Sequence, residues 1–404
     1  MNVAWVKAGK LLPVDTGGKL RSFNLLQQLA RRHRLTLLTY YDGAVDGAYE
    51  REVATQFPGA VTIATARGTN GGLAEAARYA RALVAPAPYA VEKFTNAAVR
   101  RVIQEWMSRR AFDVIVCDFL SASLNFGPLD LPTVLFQHNV ETELWRRQAR
   151  FEPHPIKRVA FQIEAQKMAR YERAAVARFH HIIAVSEHDR DLMARMVDPR
   201  RISVVPTGVD VARFQAAASR EPSAPVVMYL GSMDWEANID AVEWFCAEMW
   251  PRIRQTLPNA EFRVVGRDPD ARVRRLAGNG VVVTGTVPSV IDHLAEAAVV
   301  VVPLRIGGGT RLKIFEAMGA ARAVVSTTVG AEGLDVNNDV DIRLRDDATT
   351  FTDAVIALLQ DDVLRRRLGA AARHLAQRHD WSQVVSRFEE ALEQAISAQA
   401  SAAA

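Results

Sequence analysis

Only two cysteines occur among the 404 residues, Cys117 and Cys246, each inside an apolar stretch. Two thiols so placed give neither a disulfide framework nor the ligand spacing of a metal site, and both are expected to act as packing residues. No run approaches the ~20 consecutive apolar residues that a membrane-spanning helix needs. The opening MNVAWVKAGKLLPVD also lacks the layout of a secretory leader. These absences predict a soluble, cytoplasmic chain, with peripheral contact to the inner face of the plasma membrane left open, because lying on a bilayer requires no spanning segment. An excess of one charge is lacking too: 50 basic and 46 acidic residues leave a net of +4. With no recognition motif alongside it, so small an excess gives no reason to expect nucleic acid as a partner. The small net charge hides a split. Residues 1–205 carry 29 basic and 20 acidic side chains, a net of +9, whereas residues 206–404 carry 21 and 26, a net of −5.

What is present is a 49% hydrophobic content that excludes a disordered chain, in a length suited to two or three domains. Short β-branched runs alternate with helix-period segments, the pattern of an α/β chain with doubly wound parallel sheets. The expected strands fall at residues 2–6, 35–40, 61–64, 114–117, 133–137, 182–185 and 202–205, then at 226–231, 262–266, 281–284, 299–303 and 323–326. Over residues 238–253 the apolar Ile239, Val242, Phe245, Cys246, Met249 and Ile253 recur at helical spacing and predict one amphipathic helix. Residues 206–225 gain Ala, Ser and Pro and lose periodicity, which marks an interdomain linker. The chain thus divides into a first domain over 1–205 and a second over 206–378. A closing helix over 379–404 is expected to pack back on the first domain and to fray at SAQASAAA.

Ligands of open parallel sheets bind beyond the carboxyl ends of the strands, and four such places stand out. The first is Thr16-Gly17-Gly18-Lys19-Leu20-Arg21, where paired glycines at a helix start let backbone amides approach an anion. It is not a phosphate-binding P-loop, because Pro13 stands where the first glycine belongs and Leu20 where the magnesium-holding hydroxyl belongs; an ordinary tight turn is the alternative. The second is Gln137-His138-Asn139-Val140-Glu141, in which His138 either meets a ligand or packs while Asn139 caps the next helix. The third is GGGTRLKIFEAMG: Gly307, Gly308 and Gly309, the N-cap Thr310, and the cations Arg311 and Lys313 make an anion site suited to a diphosphate. Glu316 is the only charge between Lys313 and Arg322 and needs a partner. That partner is either Lys313, three residues back, or the vicinal diol of a ligand. The fourth is Gly231-Ser232, with Gly266 and Gly285 ending two further strands. The pair Asp268 and Asp270 is read as a helix cap, and no metal site is expected.

Taken in order, GGKLRS, QHNVE, AVSEHD, VVPTGVD, YLGSM, RVVG, VTGTV, VVPL and KIFEAMG make the chain resemble the retaining glycosyltransferases of family 4 along essentially its full length. SMDWEANIDAVEWF together with GGGTRLKIFEAMG is further similar to bacterial exopolysaccharide-associated sugar transferases. The resemblance implies the GT-B fold, two Rossmann-like domains facing across a cleft, the first for the acceptor and the second for a nucleotide-sugar donor. It implies transfer with retention in cell-surface polysaccharide biosynthesis; with no DxD carboxylate pair placed to hold a divalent ion, neither metal nor cofactor is expected. His138 matches the histidine near the transferred sugar, Gly17 and Gly18 the loop over the donor phosphates, and Glu316 the second glutamate of the family's Glu-x7-Glu motif, which holds the ribose. The first glutamate of that motif falls at Gly308, and the family's diphosphate-binding Arg and Lys fall at Ser232 and Ala237. Arg311 and Lys313 are expected to take over that charge, so the catalytic set is His138, Arg311, Lys313 and Glu316. Gly231, Ser232, Gly266, Gly285, Thr310 and the three glycines 307–309 complete the donor site, and Lys19, Arg21, Asn139 and Glu141 are expected to meet a glycan or lipid-linked acceptor. A nucleotide-sugar epimerase of the same fold and a non-catalytic nucleotide-sugar-binding protein are the alternatives. The basic excess of the first half, and residues 156–178 with Phe161, Ile163, Met168 and Tyr171 among Lys and Arg, suit either an anionic bilayer or a solvated helix packed on the domain.

Overall fold

Runs such as Val114–Asp118 and Val299–Val302 are buried along their whole length, as strands covered by helices on both faces must be. A computed structural model describes residues 1–65, 85–152, 154–306 and 312–403. It contains two units, Met1–Pro206 with Val384–Ala404, and Thr207–Gln383.

The first unit holds β1 (Asn2–Ala8), β2 (Arg34–Asp42), β3 (Val61–Thr65), β4 (Val114–Asp118), β5 (Thr133–Phe136), β6 (His181–Ala184) and β7 (Ile202–Val204). They form one parallel sheet in the order β3-β2-β1-β4-β5-β6-β7. Strand order reverses between β1 and β4, so their carboxyl ends flank the crevice where such sheets bind ligands. The closing helix Trp381–Ala403 lies on this unit: Phe388 stacks on Trp5 with ring centroids 5.4 Å apart, and Glu389 meets Arg32 at 2.8 Å and His33 at 2.9 Å. The helix runs to Ala403.

The second unit holds β8 (Val226–Leu230), β9 (Glu261–Val265), β10 (Val281–Gly285), β11 (Val299–Val302), β12 (Ala323–Ser326) and β13 (Arg343–Leu344), parallel in the order β10-β9-β8-β11-β12-β13. Its switch point lies between β8 and β11. The stretch expected as a linker is instead structural, for Val209, Val211, Phe214 and Ala217 are buried in this unit's core. The helix expected over 238–253 is also modified. Glu236–Trp244 and Trp250–Thr256 are α-helical, but Phe245–Met249 between them forms a π turn. Pro251 carries no N–H for an intrahelical bond, and a widened turn just before it accommodates that loss. The extra residue keeps Phe245, Met249 and Ile253 buried and leaves Cys246 only half-buried. Arg322 is a buried cation whose charge is favoured by Glu221, though no ion pair within 4 Å joins it to a carboxylate among the described residues. Its guanidinium donates at 2.8 Å to the carbonyls of Ala320, Ala217 and Arg220, at the carboxyl ends of helices Leu312–Gly319 and Gln215–Ala218. The negative ends of the helix dipoles compensate its charge, although burial lowers its pKa to about 10.

Candidate functional site

At the switch point of the first unit, β1 and β4 bring two buried charges together: Lys7 Nζ lies 3.0 Å from Asp118 Oδ2. The same oxygen accepts from Ser22 Oγ at 2.6 Å and from Trp5 Nε1 at 3.0 Å, and Lys7 also donates to Ser22 at 3.1 Å. The other carboxyl oxygen, Oδ1, is 3.0 Å from His138 Nε2, in a contact bent away from the line of a full hydrogen bond. Burial alone would raise the Asp118 carboxyl, but Lys7, His138 and Ser22 hold it well below the usual carboxylate range. For His138 burial dominates and pushes the ring down to about 3 against the pull of Asp118, with Arg21 and Lys7 adding to the effect. The imidazole is therefore neutral at physiological pH. It stacks on Phe119 with centroids 3.8 Å apart. The helix Gly17–Ala30 passes so close that a Cβ on Gly18 would sit 2.8 Å from Phe119 Cζ and 3.7 Å from His138 Nδ1. Glycine at 18 is thus a requirement of close approach. The expected helix start is present, with Thr16 as its N-cap.

The loop that carries His138 is fixed from an unexpected side. Asn139, expected as a cap, makes no such bond. The helix Glu141–Phe151 is capped instead by Glu172 on the helix Pro155–Arg178. Glu172 Oε1 accepts from Glu141 N at 2.8 Å and Gln137 Nε2 at 3.0 Å, and Oε2 accepts from Thr142 N at 3.0 Å and Thr142 Oγ1 at 2.6 Å. Glu141 is half-buried; burial and the Glu172 charge push its carboxyl up to about 7, with Lys93 opposing. Lys19 turns onto its own loop, 2.8 Å from Asp15 and 3.2 Å from the Pro13 carbonyl. Arg21 points inward and is 2% exposed; burial lowers its guanidinium to about 10 against the pull of Asp189 and Asp118. Asn139 and Glu141 thus remain accessible at the sheet edge, whereas Arg21 does not.

In the second unit Gly307, Gly308, Gly309, Thr310 and Arg311 lie outside the described residues. Lys313 reaches the carboxyl end of β8. Its ammonium donates to Tyr229 Oη at 2.9 Å and to Asn238 Oδ1 at 2.8 Å, and it sits 4.4 Å from the centre of the Tyr229 ring. A Cβ on Gly231 would lie 2.9 Å from that ammonium, and one on Gly266 would lie 1.6 Å from the Gly231 carbonyl oxygen. Close backbone packing therefore explains Gly266, and a left-handed φ of 71° explains Gly285. Ser232 Oγ donates to Asp234 at 2.6 Å and accepts from Arg267 Nε at 2.8 Å. Glu316 is half-buried. Burial pushes its carboxyl up to about 7, opposed by Arg213 and Lys313. Among the described residues no hydrogen bond or ion pair joins Glu316 to Lys313, so the intrahelical pair offered as one alternative is not formed. Asp270 caps the short helix Ala271–Arg274, accepting from Arg272 N at 2.8 Å.

Sequence reasoning missed Lys7, Asp118, Glu172, Asn238 and Arg267. Lys7 and Asp118 did leave a signal: single charges of opposite sign inside otherwise apolar strands, NVAWVKA and VIVCD. Asn238 and Arg267 leave none, since each looks like an ordinary surface residue until the sheet edge is assembled.

Two family models match the chain, Glycosyltransferase Family 4 over residues 17–213 and Glycosyl transferases group 1 over residues 224–361. The phosphatidyl-myo-inositol mannosyltransferase of Mycobacterium tuberculosis is 29% identical over 199 residues, covering 46% of this chain and 52% of its own. The GDP-mannose:cellobiosyl-diphosphopolyprenol alpha-mannosyltransferase of Xanthomonas campestris is 28% identical over 245 residues, 56% of this chain and 61% of its own. The chain thus spans little more than half the length of these curated relatives. Among solved structures, sucrose-phosphate synthase from Thermosynechococcus elongatus superposes with a TM-score of 0.67 at 16% identity, covering 98% of this chain and 100% of that one. Anabaena HepE in complex with UDP gives 0.67 at 15% identity, with 97% and 100% covered. These likenesses extend over both parallel-sheet units and show the GT-B fold. Each half of the chain is thus similar to a glycosyltransferase family model, the first over residues 17–213 and the second over residues 224–361.

Proposed function

We propose that the protein is a retaining glycosyltransferase that moves a hexosyl group from a nucleoside-diphosphate sugar to a hydroxyl of a lipid-linked or glycan acceptor in cell-surface polysaccharide synthesis. The observation that carries the donor half is the arrangement at the carboxyl end of β8. The positions where the family's diphosphate-binding Arg and Lys fall are Ser232 and Ala237, yet cations reach both places from elsewhere in the chain. Arg267 touches Ser232, and Lys313 touches Asn238, the neighbour of Ala237. On this reading Lys313, Arg267 and Arg311, with the amides of residues 307–309, stabilise the leaving diphosphate as its charge develops. Glu316, which among the described residues no hydrogen bond or ion pair joins to Lys313, accepts from the ribose hydroxyls. His138 contacts the transferred sugar, and the acceptor attacks from the face the diphosphate leaves. Positioned side chains supply the positive charge, so transfer persists in the presence of EDTA.

The acceptor half is supported by the relatives, both of which act on lipids that carry phosphate, and by the surface of helix Pro155–Arg178. Phe161, Met168 and Tyr171 are used internally: Phe161 packs edge-on against Trp145, Met168 is buried and Tyr171 bonds Ser123. Ile156 and Val159 remain exposed beside Lys157 and Arg158, a small apolar and basic patch suited to an anionic membrane surface. Among the described residues no helix is long and apolar enough to cross a membrane.

A thermal-shift screen against nucleoside diphosphates and nucleotide-sugars, GDP-mannose first, followed by hydrolysis of labelled donor, tests the reading. Stabilisation by one nucleoside-diphosphate sugar with slow donor hydrolysis is expected, and Lys313→Met should abolish both. Tight donor binding without turnover across a broad acceptor panel would identify a non-catalytic binder instead.

A further inference from the structure

We propose that Asp118 and Lys7 are positioning residues that lock His138 in the tautomer with its proton on Nε2, leaving Nδ1 as a fixed acceptor for a hydroxyl of the transferred sugar. The identity of that hydroxyl rests on the function proposed above; the tautomer stands on the geometry of the first unit alone.

Three groups converge on Asp118 Oδ2, and two of them, the Lys7 ammonium and the Trp5 indole N–H, can only donate. Ser22 adds a third donor at 2.6 Å. An oxygen so surrounded carries no proton of its own, so the carboxyl is ionised. Its other oxygen lies 3.0 Å from His138 Nε2, close enough for the charge to act although the contact is bent from a full hydrogen bond. A lone pair on Nε2 would face carboxylate lone pairs at that distance and be repelled, whereas an N–H there is attracted. The proton therefore belongs on Nε2, as in other imidazoles oriented by a carboxylate.

That leaves the lone pair on Nδ1. The ring is 3% exposed, and Nδ1 has no hydrogen-bond partner among the described residues. It lies beside Gly18 at the start of the helix Gly17–Ala30, 3.7 Å from where a Cβ on that glycine would sit. A buried acceptor without a donor calls for a partner outside the protein. Burial above all, with Arg21 and Lys7 adding to it, disfavours a second proton on the ring, so His138 is neither acid nor cation here. A neutral nitrogen acceptor takes a hydroxyl or amide N–H and repels a phosphate or carboxylate oxygen. The site therefore discriminates between the hydroxyls of a sugar and the oxygens of its diphosphate. Lys7 contributes indirectly, by keeping Asp118 ionised.

The test combines spectroscopy and kinetics. Long-range proton–nitrogen correlation on the full chain with 15N-labelled histidine is expected to show His138 Nε2 as a pyrrole-type and Nδ1 as an imine-type nitrogen, assigned by their loss in His138→Gln. Asp118→Asn should shift the signature toward the other tautomer or a mixture. It should lower kcat/KM for sugar transfer about tenfold or more, the effect of one lost hydrogen bond to substrate, while leaving affinity for the nucleoside diphosphate, which has no sugar, unchanged. Should Asp118→Asn fail to fold because Lys7 is left unpaired, Asp118→Asn with Lys7→Met removes both charges together. A proton on Nδ1 in the unmodified chain overturns the proposal, and so does unchanged transfer in a folded variant with an altered tautomer. Absence of turnover by the unmodified chain with every donor overturns the functional reading instead, and the nitrogen signature then still decides the tautomer.

Discussion

At the scale of single residues, Glu316 shows how a site carries its own thermodynamic mark. A carboxyl raised from the ordinary 4.5 to about 7 stays protonated in the fold where the unfolded chain has already ionised. Its stabilising contribution is complete below pH 4.5 and is lost as pH rises to about 7. Glu316→Gln should therefore match the parent in melting temperature near pH 4.5 and exceed it at pH 8, by about 1–2 kcal/mol after allowance for solvent screening. Its affinity for the nucleoside diphosphate should fall at both values, with the larger loss at pH 8. A variant less stable at pH 8 would show that Glu316 holds the fold rather than a ligand. This residue was legible in the sequence because it stands alone in an apolar helix, and His138 was legible because it follows a strand. Asp118 and Lys7 were not placed with them. The two are 111 positions apart, and only the adjacency of β1 and β4, which no local pattern encodes, sets them against each other.

At the scale of elements, the strands were legible because burial on both faces writes uninterrupted β-branched runs. What escaped was short or nonlocal. The two residues of β13 carry no period, the π turn answers to a proline beyond the expected face, and the low-periodicity stretch after Pro206 turned out to contribute Phe214 to a core. The cap on helix Glu141–Phe151 is the instructive miss, since the sequence offers Asn139 nearby while the structure uses Glu172 from the next helix. Four donors on one buried carboxylate make the loop 137–142 dependent on it. Glu172→Ala should destabilise the first unit by about 2–4 kcal/mol, from an orphaned helix start and a lost buried charge–dipole set. Amide exchange should accelerate first at Glu141 and Thr142, read by hydrogen-exchange mass spectrometry. Uniform acceleration across β1 to β7 would mean that Glu172 supports the core at large rather than this loop.

At the scale of the whole molecule, the charge split of +9 against −5 has a physical consequence because it coincides with an exposed apolar patch. Ile156 is 75% exposed, Val159 55% and Ile163 38%, all on the outer face of the helix Pro155–Arg178, whose inner face buries Glu164, Met168 and Glu172. Inner-face residues cannot be given to a bilayer without unpacking the unit, so any membrane contact made by this helix comes from the outer patch and the cations beside it. Apolar area of that size is too small to bind alone, and attraction of exposed cations is screened beyond about 8 Å at physiological salt. Binding is therefore expected only where both terms act: to vesicles containing anionic lipid, at low and physiological ionic strength, and not to purely zwitterionic vesicles. Ile156→Ser with Val159→Ser should reduce sedimentation with anionic vesicles severalfold without changing the melting temperature, because neither side chain contributes to a core. Hydrolysis of soluble donor should be unchanged, whereas transfer to a membrane-embedded acceptor should fall. Equal binding of the parent to zwitterionic and anionic vesicles, or binding that persists at high salt, would separate the basic excess from any membrane role and leave it to the acceptor alone.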